Sequence, residues 1–230
     1  MVSRFLAVGF SFLWGTLASA EARIEVVASS CPPVICGSGV SVYIDGELDG
    51  SEAIRLETLV ADGTVTPYST IYFNSPGGSL FGGMELARTI RKNGFSTGVS
   101  KRDEAREKVG GGAICMSACS LAFLGGVFRY FQDDDFFGVH RFYSNEPSED
   151  EGELAQIASA AIISFLAEMD VAPEFFVEMT KAGSQSMRML DLSQMLRLGI
   201  ANNGIGPTNW TVTASDPANG TSILYLKGER

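Results

Sequence analysis

The sequence is poor in basic residues and contains a single histidine. Its 230 residues include 17 lysines and arginines against 27 aspartates and glutamates, which gives a net charge of −10 at pH 7. Because such a surface repels phosphates, we expect neither nucleic-acid binding nor attachment to an anionic membrane. One histidine without a Cys/His cluster argues against a zinc site, and we expect no metal and no cofactor.

The chain also lacks an apolar run long enough to cross a bilayer comfortably. The run from Phe5 to Leu17 follows a short basic start and precedes the small residues Ala18-Ser19-Ala20. This order is typical of a secretory signal peptide. We therefore expect residues 1–20 to be removed and the mature chain to be exported, in a bacterium to the periplasm, with no membrane span after cleavage. An uncleaved N-terminal anchor is the alternative.

Cysteines are few, but export would make all four of them potential disulfide partners. Cys31 and Cys36 flank a Pro-Pro pair in a predicted turn, and Cys115 and Cys119 are one helical turn apart. One turn separates Cα atoms by about 6 Å, which is within disulfide range. Two local pairs are the simplest of the three pairings, and free buried thiols are the alternative. A bond between Cys115 and Cys119 would serve to stiffen the turn between them, because so small a loop removes little unfolded-state entropy.

Strand and helix patterns alternate along the chain. Strands are predicted at 23–29, 39–48, 70–73, 95–99 and in the segment that reaches His140. Helices are predicted at 51–61, 83–93, 117–126, 154–169, 173–179 and 193–198. Residues 101–108 have no apolar face and predict an exposed loop, and a last strand is predicted at 222–226. The alternation indicates an α/β domain with a largely parallel, helix-covered sheet. We assign residues 21–204 to this domain and 205–230 to a C-terminal strand or tail packed on it.

Ser117 lies in a glycine-led segment of small residues, Gly110-Gly-Gly-Ala-Ile-Cys-Met-Ser117-Ala118-Cys119, before an apolar helical pattern. Small neighbours would let a substrate backbone approach the hydroxyl. The N–H groups at a helix start point toward the place where negative charge develops in acyl transfer. The pattern favours a nucleophile at a strand-to-helix turn, with an ordinary helix N-cap as the alternative.

Two further features point to the same chemistry. His140 follows Ser117 by 23 residues at a predicted strand end, where it is the candidate general base or, alternatively, a satisfied core histidine. The segment Asn74-Ser-Pro-Gly-Gly78 follows a short buried strand and predicts a tight turn. Its backbone, free of side chains at the glycines, could come close to a bound carbonyl group.

The order of these motifs resembles that of the Clp-protease/crotonase superfamily. The resemblance rests on four motifs: Ile44-Asp-Gly-Glu-Leu48, Ile71-Tyr-Phe-Asn-Ser-Pro-Gly-Gly78, Met116-Ser-Ala-Cys-Ser-Leu-Ala-Phe-Leu124 and Gly138-Val-His140. They cover roughly residues 40 to 200 and are most similar to the exported branches, the signal-peptide-peptidase-like and Clp-protease-like periplasmic proteins. The resemblance implies an α/β fold that stacks β-β-α units around a mostly parallel sheet.

By this resemblance Ser117 is the nucleophile, His140 is the general base, and the N–H groups of Gly78 and Ala118 form the oxyanion hole. The implied function is an exported serine-type peptidase that acts on a peptide or protein substrate. Relatives self-assemble into rings, so a homo-oligomer is one expectation for this chain. The alternative is a non-catalytic oligomeric scaffold or peptide-binding protein of the same fold. A crotonase-type acyl-CoA enzyme is disfavoured by export, since that cofactor is cytoplasmic.

Three alternatives stay open at the level of sequence. A shift of the pattern by two residues would place Cys119 at the nucleophile position, which is inconsistent with a Cys115–Cys119 disulfide. No acidic residue stands clearly at the third catalytic position, for which the nearby candidates are Thr180, Glu178 and Asp191. Signal-peptide peptidases use a lysine as the base, and Lys181 lies well downstream of the usual spacing.

Overall fold

The computed structural model describes residues 21–28, 39–103, 108–142, 151–205, 210–214 and 224–228. The predicted signal peptide and the Cys31 and Cys36 pair lie outside these ranges. The helices of the described residues are α1 Glu52–Ala61, α2 Leu80–Lys92, α3 Ala118–Phe123, α4 Glu151–Glu168, α5 Glu174–Thr180 and α6 Leu192–Arg197. The strands are β1 Arg23–Ala28, β2 Val40–Asp45, β3 Thr70–Asn74, β4 Ser96–Val99, β5 Lys101–Asp103, β6 Lys108–Gly110, β7 Ile114–Met116, β8 Arg129–Tyr130, β9 Phe136–Val139, β10 Arg188–Leu190, β11 Trp210–Ala214 and β12 Leu224–Gly228.

The larger sheet has five strands in the order β1-β2-β3-β4-β8. β1 runs antiparallel to β2, and the remaining neighbours are parallel. Parallel strands need crossover connections, which α1 supplies between β2 and β3 and α2 between β3 and β4. Many apolar residues of these strands and helices are fully buried, among them Val42, Ile44, Ile71, Phe73, Leu86 and Ile90. The expected α/β fold with a mostly parallel sheet is therefore confirmed.

A second sheet, in the order β10-β9-β7, carries the segments that will form the site. β7 runs parallel to β9, with Cys115 opposite Phe137 and Met116 opposite Gly138. The end of β3 joins this sheet, because the N–H of Ser75 donates to the Ile114 carbonyl at 2.8 Å and the N–H of Met116 donates to the Ser75 carbonyl at 3.0 Å. Three separate parts of the chain thus end side by side.

Several element boundaries differ from the sequence expectation, two of them near the site. Residues 101–108 were expected to form a loop, but β5 and β6 pair antiparallel, with Arg102 opposite Val109. A ladder of backbone hydrogen bonds needs no apolar face, so hydrophobic pattern could not reveal it. The helix expected at 83–93 begins already at Leu80, because the Ser79 hydroxyl caps it by accepting from the N–H of Gly82 at 3.1 Å.

The buried side chain of Arg129 links the ends of two helices. Its guanidinium donates to the carbonyl oxygens of Gly126 at 3.0 Å, Gly199 at 2.9 Å and Ile200 at 2.8 Å. These carbonyls belong to residues just beyond the ends of α3 and α6. Burial lowers the pKa of Arg129 to about 10, so the group remains charged at neutral pH. Arg129 thereby holds the far end of α3 to the α6 region.

Asp135 is a buried carboxylate at the start of β9. Its Oδ1 accepts from the N–H of Ala113 at 3.0 Å, while Oδ2 has no hydrogen-bond partner within the described part of the chain. Burial is the main cause that raises the pKa of Asp135 to about 6. The ionised form of this group therefore opposes folding.

We expect Asp135→Asn to reduce the pH dependence of stability. The pKa of about 6 in the folded state exceeds the unfolded value of about 4. Protonation therefore stabilises the fold, fully below the unfolded value, and this contribution is lost as the pH rises through the folded value. Urea unfolding at pH 4 and pH 7 should show the wild type losing about 1 to 3 kcal/mol relative to the variant. Identical pH dependence in the two proteins would contradict the assignment.

The C-terminal strands β11 and β12 pair in antiparallel fashion. Their register sets Val212 opposite Leu226 and Ala214 opposite Leu224. The sequence predicts one apolar face that includes Trp210 and Val212, because alternate residues of a strand lie on the same side. A two-stranded hairpin is marginal in water unless its apolar face is covered. The packing of residues 205–230 on the domain remains a prediction. We expect the domain to cover the apolar face that includes Trp210 and Val212.

Trp210 offers a measurement of that packing. It is the only tryptophan in a chain that starts at Glu21, since the other is Trp14. We expect blue-shifted emission and protection from acrylamide quenching. Val212→Asp should remove both, whereas Thr211→Asp on the opposite face should preserve them. Fully solvated emission from the parent chain would show that the hairpin does not pack.

Candidate active site

Ser117 occupies a strained turn between β7 and α3. Its φ is 55° and its ψ is −124°, a conformation that residues other than glycine seldom adopt. Hydrogen bonds hold the residue on both sides. Its N–H donates to the carbonyl of Gly138 at 2.9 Å, and its carbonyl accepts from the N–H of Ser120 at 2.9 Å and from the Ser120 hydroxyl at 2.6 Å. The turn presents the hydroxyl away from the strand, as in the nucleophile turns of hydrolases.

His140 lies directly beyond the end of β9 and reaches the Ser117 hydroxyl. Its Nε2 is 2.7 Å from Ser117 Oγ, and its Nδ1 is 2.8 Å from the carbonyl oxygen of Arg141. A carbonyl only accepts, so the hydrogen-bond network assigns the proton of the neutral ring to Nδ1. Nε2 is then free of a proton and accepts from the serine hydroxyl. That is the tautomer which a general base for Ser117 requires.

The turn after β3 supplies the facing backbone. The N–H of Gly77 donates to the Ser75 hydroxyl at 3.1 Å, and the N–H of Ser79 donates to the Leu48 carbonyl at 2.8 Å. Between them, the N–H of Gly78 makes no hydrogen bond to any described residue, and neither does the N–H of Ala118. Both residues line the cleft above Ser117. The structure therefore leaves two backbone donors available beside the hydroxyl.

Glycines allow the two turns to approach each other this closely. A Cβ on Gly77 would lie 2.7 Å from both the Met116 carbonyl oxygen and Ser117 Cβ, and a Cβ on Gly83 would lie 2.5 Å from the Ala118 carbonyl oxygen. Both distances are shorter than real contacts allow. Sequence reasoning did not single out Gly83, although a Gly-Gly pair inside a helical pattern indicates a packing reason.

A cleft of about 660 Å³ opens over Ser117 and His140. This volume is within the usual range for ligand sites. Its lining is mixed. The apolar members are Leu48, Leu80, Leu121, Phe142, Met179 and Met187, and Glu47 and Asp49 contribute carboxylates.

A disulfide joins Cys115 to Cys119, with Cα atoms 5.2 Å apart. This pairing is the one that the spacing predicts. A sulfur bonded to Cys115 leaves Cys119 without a thiol, which disfavours the alternative register that places Cys119 at the nucleophile position. Ser117 is the residue that the structure presents to His140.

The candidates for a third catalytic residue are engaged elsewhere. Thr180 donates its hydroxyl to the Val177 carbonyl, and Asp191 caps α6 by accepting from the N–H of Gln194. Glu178 pairs with Lys181 at 2.6 Å and also with Arg188, and the hydrogen bond of Lys181 to its carboxylate is the main cause that lowers the pKa of Glu178. Lys181 is thus held by Glu178 rather than placed at Ser117.

The described ranges show neither a metal-binding group nor a membrane-spanning helix. They contain no group of three or more His, Cys, Asp or Glu side chains placed to hold a metal ion. Among the helices that the structure describes, none is both long and apolar enough to cross a bilayer.

The Ser117 hydroxyl should lose reactivity when its supporting turn is displaced. We expect Gly83→Ala to slow labelling of Ser117 by a fluorophosphonate by about tenfold or more, because the new Cβ pushes the Ala118 peptide, and small misplacements reduce rates strongly. Gly152→Ala in α4 is the matched control, since its Cβ would meet open space. Equal labelling rates in the two variants would contradict the role of the close approach.

Comparison with known proteins rests on structure, because no protein-family model and no curated protein matches the sequence. A mutant of ClpP1 from Listeria monocytogenes superposes with a TM-score of 0.53 at 19% identity, covering 70% of this chain and 88% of that one. A mutant of the membrane-bound stomatin-specific protease 1510-N superposes with a TM-score of 0.51 at 17% identity, covering 70% of this chain and 76% of that one. The chain therefore has a ClpP-like fold, as the order of its motifs predicts.

Proposed function

We propose that the protein is a serine peptidase that uses Ser117 as nucleophile and His140 as general base. The observation that carries the proposal is the 2.7 Å hydrogen bond from Ser117 Oγ to His140 Nε2. It lies in a cleft that is also lined by the two residues with available backbone donors, Gly78 and Ala118. A hydroxyl, a neutral imidazole and two amides are the set of groups that acyl transfer requires.

Each group has a defined task in this reaction. His140 Nε2 takes the proton of Ser117 as Oγ bonds to the scissile carbonyl carbon, and the resulting oxyanion accepts from the N–H groups of Gly78 and Ala118. The imidazolium then gives its proton to the leaving amine as the peptide bond breaks. Water, activated by His140, hydrolyses the acyl-enzyme and releases Ser117. The Arg141 carbonyl holds Nδ1–H throughout and stabilises the positive ring.

A peptide or protein is the substrate that best fits the cleft. Its volume suits several residues of an extended chain, and its apolar lining suits apolar side chains. The backbone near Gly78 can pair with such a chain as an added strand. The fold of two proteases whose names record that activity is consistent with this substrate class.

Export and self-association belong to the same proposal. A disulfide persists in oxidising compartments, which supports the exported state that the N-terminal segment predicts, in a bacterium the periplasm. On α4, Ile162 and Phe165 are buried, whereas Leu154 and Ile157 are exposed. Exposed apolar residues on one helix support a contact with a second copy of the chain.

The central test is covalent labelling with a fluorophosphonate. We expect the wild type to be labelled at Ser117, Ser117→Ala to lose all labelling, and His140→Gln to slow it about 100-fold or more through loss of the base. Ser159→Ala, at a half-buried serine of α4 whose hydroxyl donates to the Ala155 carbonyl of the same helix, is the control and should react as the wild type does.

Hydrolysis of an unstructured protein such as casein should follow the same order among these variants. A folded wild type that neither reacts with the probe nor cleaves casein would overturn the proposal. The alternative would then stand, a non-catalytic scaffold or peptide-binding protein with this fold.

A further inference from the structure

The Cys115–Cys119 disulfide spans the nucleophile turn symmetrically. Each cysteine lies two residues from Ser117, one before it in β7 and one after it in α3, and both side chains are fully buried. The residues enclosed by the bond include Ser117 and Ala118, the two that contribute the hydroxyl and one of the available N–H donors. We propose that this disulfide is a positioning element of the active site and that Ser117 is fully reactive only in the oxidised chain. This inference rests on the proposed function.

One end of the bond is fixed by the sheets. Cys115 is the central residue of β7, where it lies opposite Phe137 of β9 on one side and opposite Ser75 on the other. Hydrogen bonds of its neighbours to Ser75 and to β9 hold the strand in place. A sulfur attached to this residue is therefore a rigid anchor.

The other end of the disulfide is attached to the first turn of a short helix. α3 spans only Ala118–Phe123, and a helix of this length is not stable on its own. Cys119 lies in its first turn, directly after Ala118. The bond to Cys115 consequently ties the start of α3 to β7 and fixes the Ala118 N–H relative to the Ser117 hydroxyl.

The turn between the anchors is held against its own preference. Ser117 keeps a φ of 55° that costs free energy in a residue with a Cβ. Its restraints besides the disulfide are the hydrogen bonds to Gly138 and Ser120. Without the sulfur bridge, the turn can relax toward ordinary backbone angles, which would move Ser117 Oγ away from His140 Nε2.

A general stabilising role explains the bond less well. The two cysteines are four residues apart, so the closed loop is among those that remove little unfolded-state entropy. Buried apolar side chains after the turn, Leu121, Phe123 and Leu124, hold α3 in the core independently. The expected effect of the bond is therefore local, on the geometry at Ser117, more than on the stability of the whole domain.

The test compares the parent chain with the double variant Cys115→Ala/Cys119→Ala, using a fluorophosphonate as the probe. Saturation kinetics separate the binding constant of the probe from the rate of bond formation with Ser117. We expect the rate of bond formation to fall about tenfold or more, because the reacting groups are misaligned, with the binding constant changed by less than about twofold. Arg129→Lys, which loosens the far end of α3, is the control; we expect it to lower thermal stability and keep the labelling rate.

Chemical reduction of the wild type gives an independent arm that does not depend on the variant folding. A dithiol supplies two electrons and two protons, so that the bridge becomes two thiols and the dithiol becomes a cyclic disulfide. Mass spectrometry after alkylation identifies the chains reduced at Cys115 and Cys119, and circular dichroism reports whether they remain folded. We expect these chains to react slowly and reoxidation, without alkylation, to restore the rate.

The outcomes separate the inference from the proposed function. A folded reduced chain or double variant that reacts within about twofold of the parent would overturn the positioning role and leave the peptidase proposal intact. A parent chain that the probe never labels would overturn both. An equal loss in the Arg129→Lys control would assign the effect to general destabilisation and also overturn the inference.

Discussion

The parallel pairing of β7 with β9 is the constraint on which the site depends. It sets Met116 opposite Gly138, so the residues that follow the two strands, Ser117 and His140, emerge on the same edge of the sheet. The Ser117 N–H then reaches the Gly138 carbonyl, and the imidazole reaches the hydroxyl. A slip of one residue in this register would turn alternate side chains to the opposite face and separate the pair. The pairing of β7 with β9 therefore determines whether the Ser117 hydroxyl and the His140 imidazole come within hydrogen-bond distance.

Close backbone approach is the second requirement, and it explains the glycines. In the proposed reaction, the turn after β3 must come near enough to Ser117 for the Gly78 amide to share one oxyanion with the amide of Ala118. Gly77 and Gly83 permit that distance because a Cβ at either position would collide with residues 116–118. Gly78 has a φ of +135° and would place a Cβ 2.1 Å from the Leu48 carbonyl oxygen, so only glycine fits there. Gly78 is thus required for its positive φ, and Gly77 and Gly83 for their lack of a side chain.

Sequence predicted the parts of this arrangement that local chemistry determines. Ser117, His140, the turn at Gly77 and Gly78 and the Cys115–Cys119 spacing each have a signal within a few residues, and the structure brings them together. Contacts that form only in the folded chain left no such signal in the sequence. The pairing of β5 with β6 depends on backbone groups alone. Nothing next to Arg129 in the sequence indicates that it binds the carbonyls that follow α3 and α6. The sequence likewise left the third catalytic position unassigned, and in the structure the nearby candidate Glu178 pairs with Lys181 and Arg188.

The disulfide connects the geometry of the site with the chemistry of its surroundings. In a compartment rich in thiols, a bond of this kind is kept reduced, and the turn would rely on hydrogen bonds to Gly138 and Ser120. In an oxidising compartment, the same sequence acquires a covalent tie from β7 to α3. The N-terminal segment, which resembles an export signal, and the cysteines around Ser117 are separated by about a hundred residues and carry no common sequence pattern. Under the proposed function the two features agree, because a disulfide at the Ser117 turn persists where thiols are oxidised.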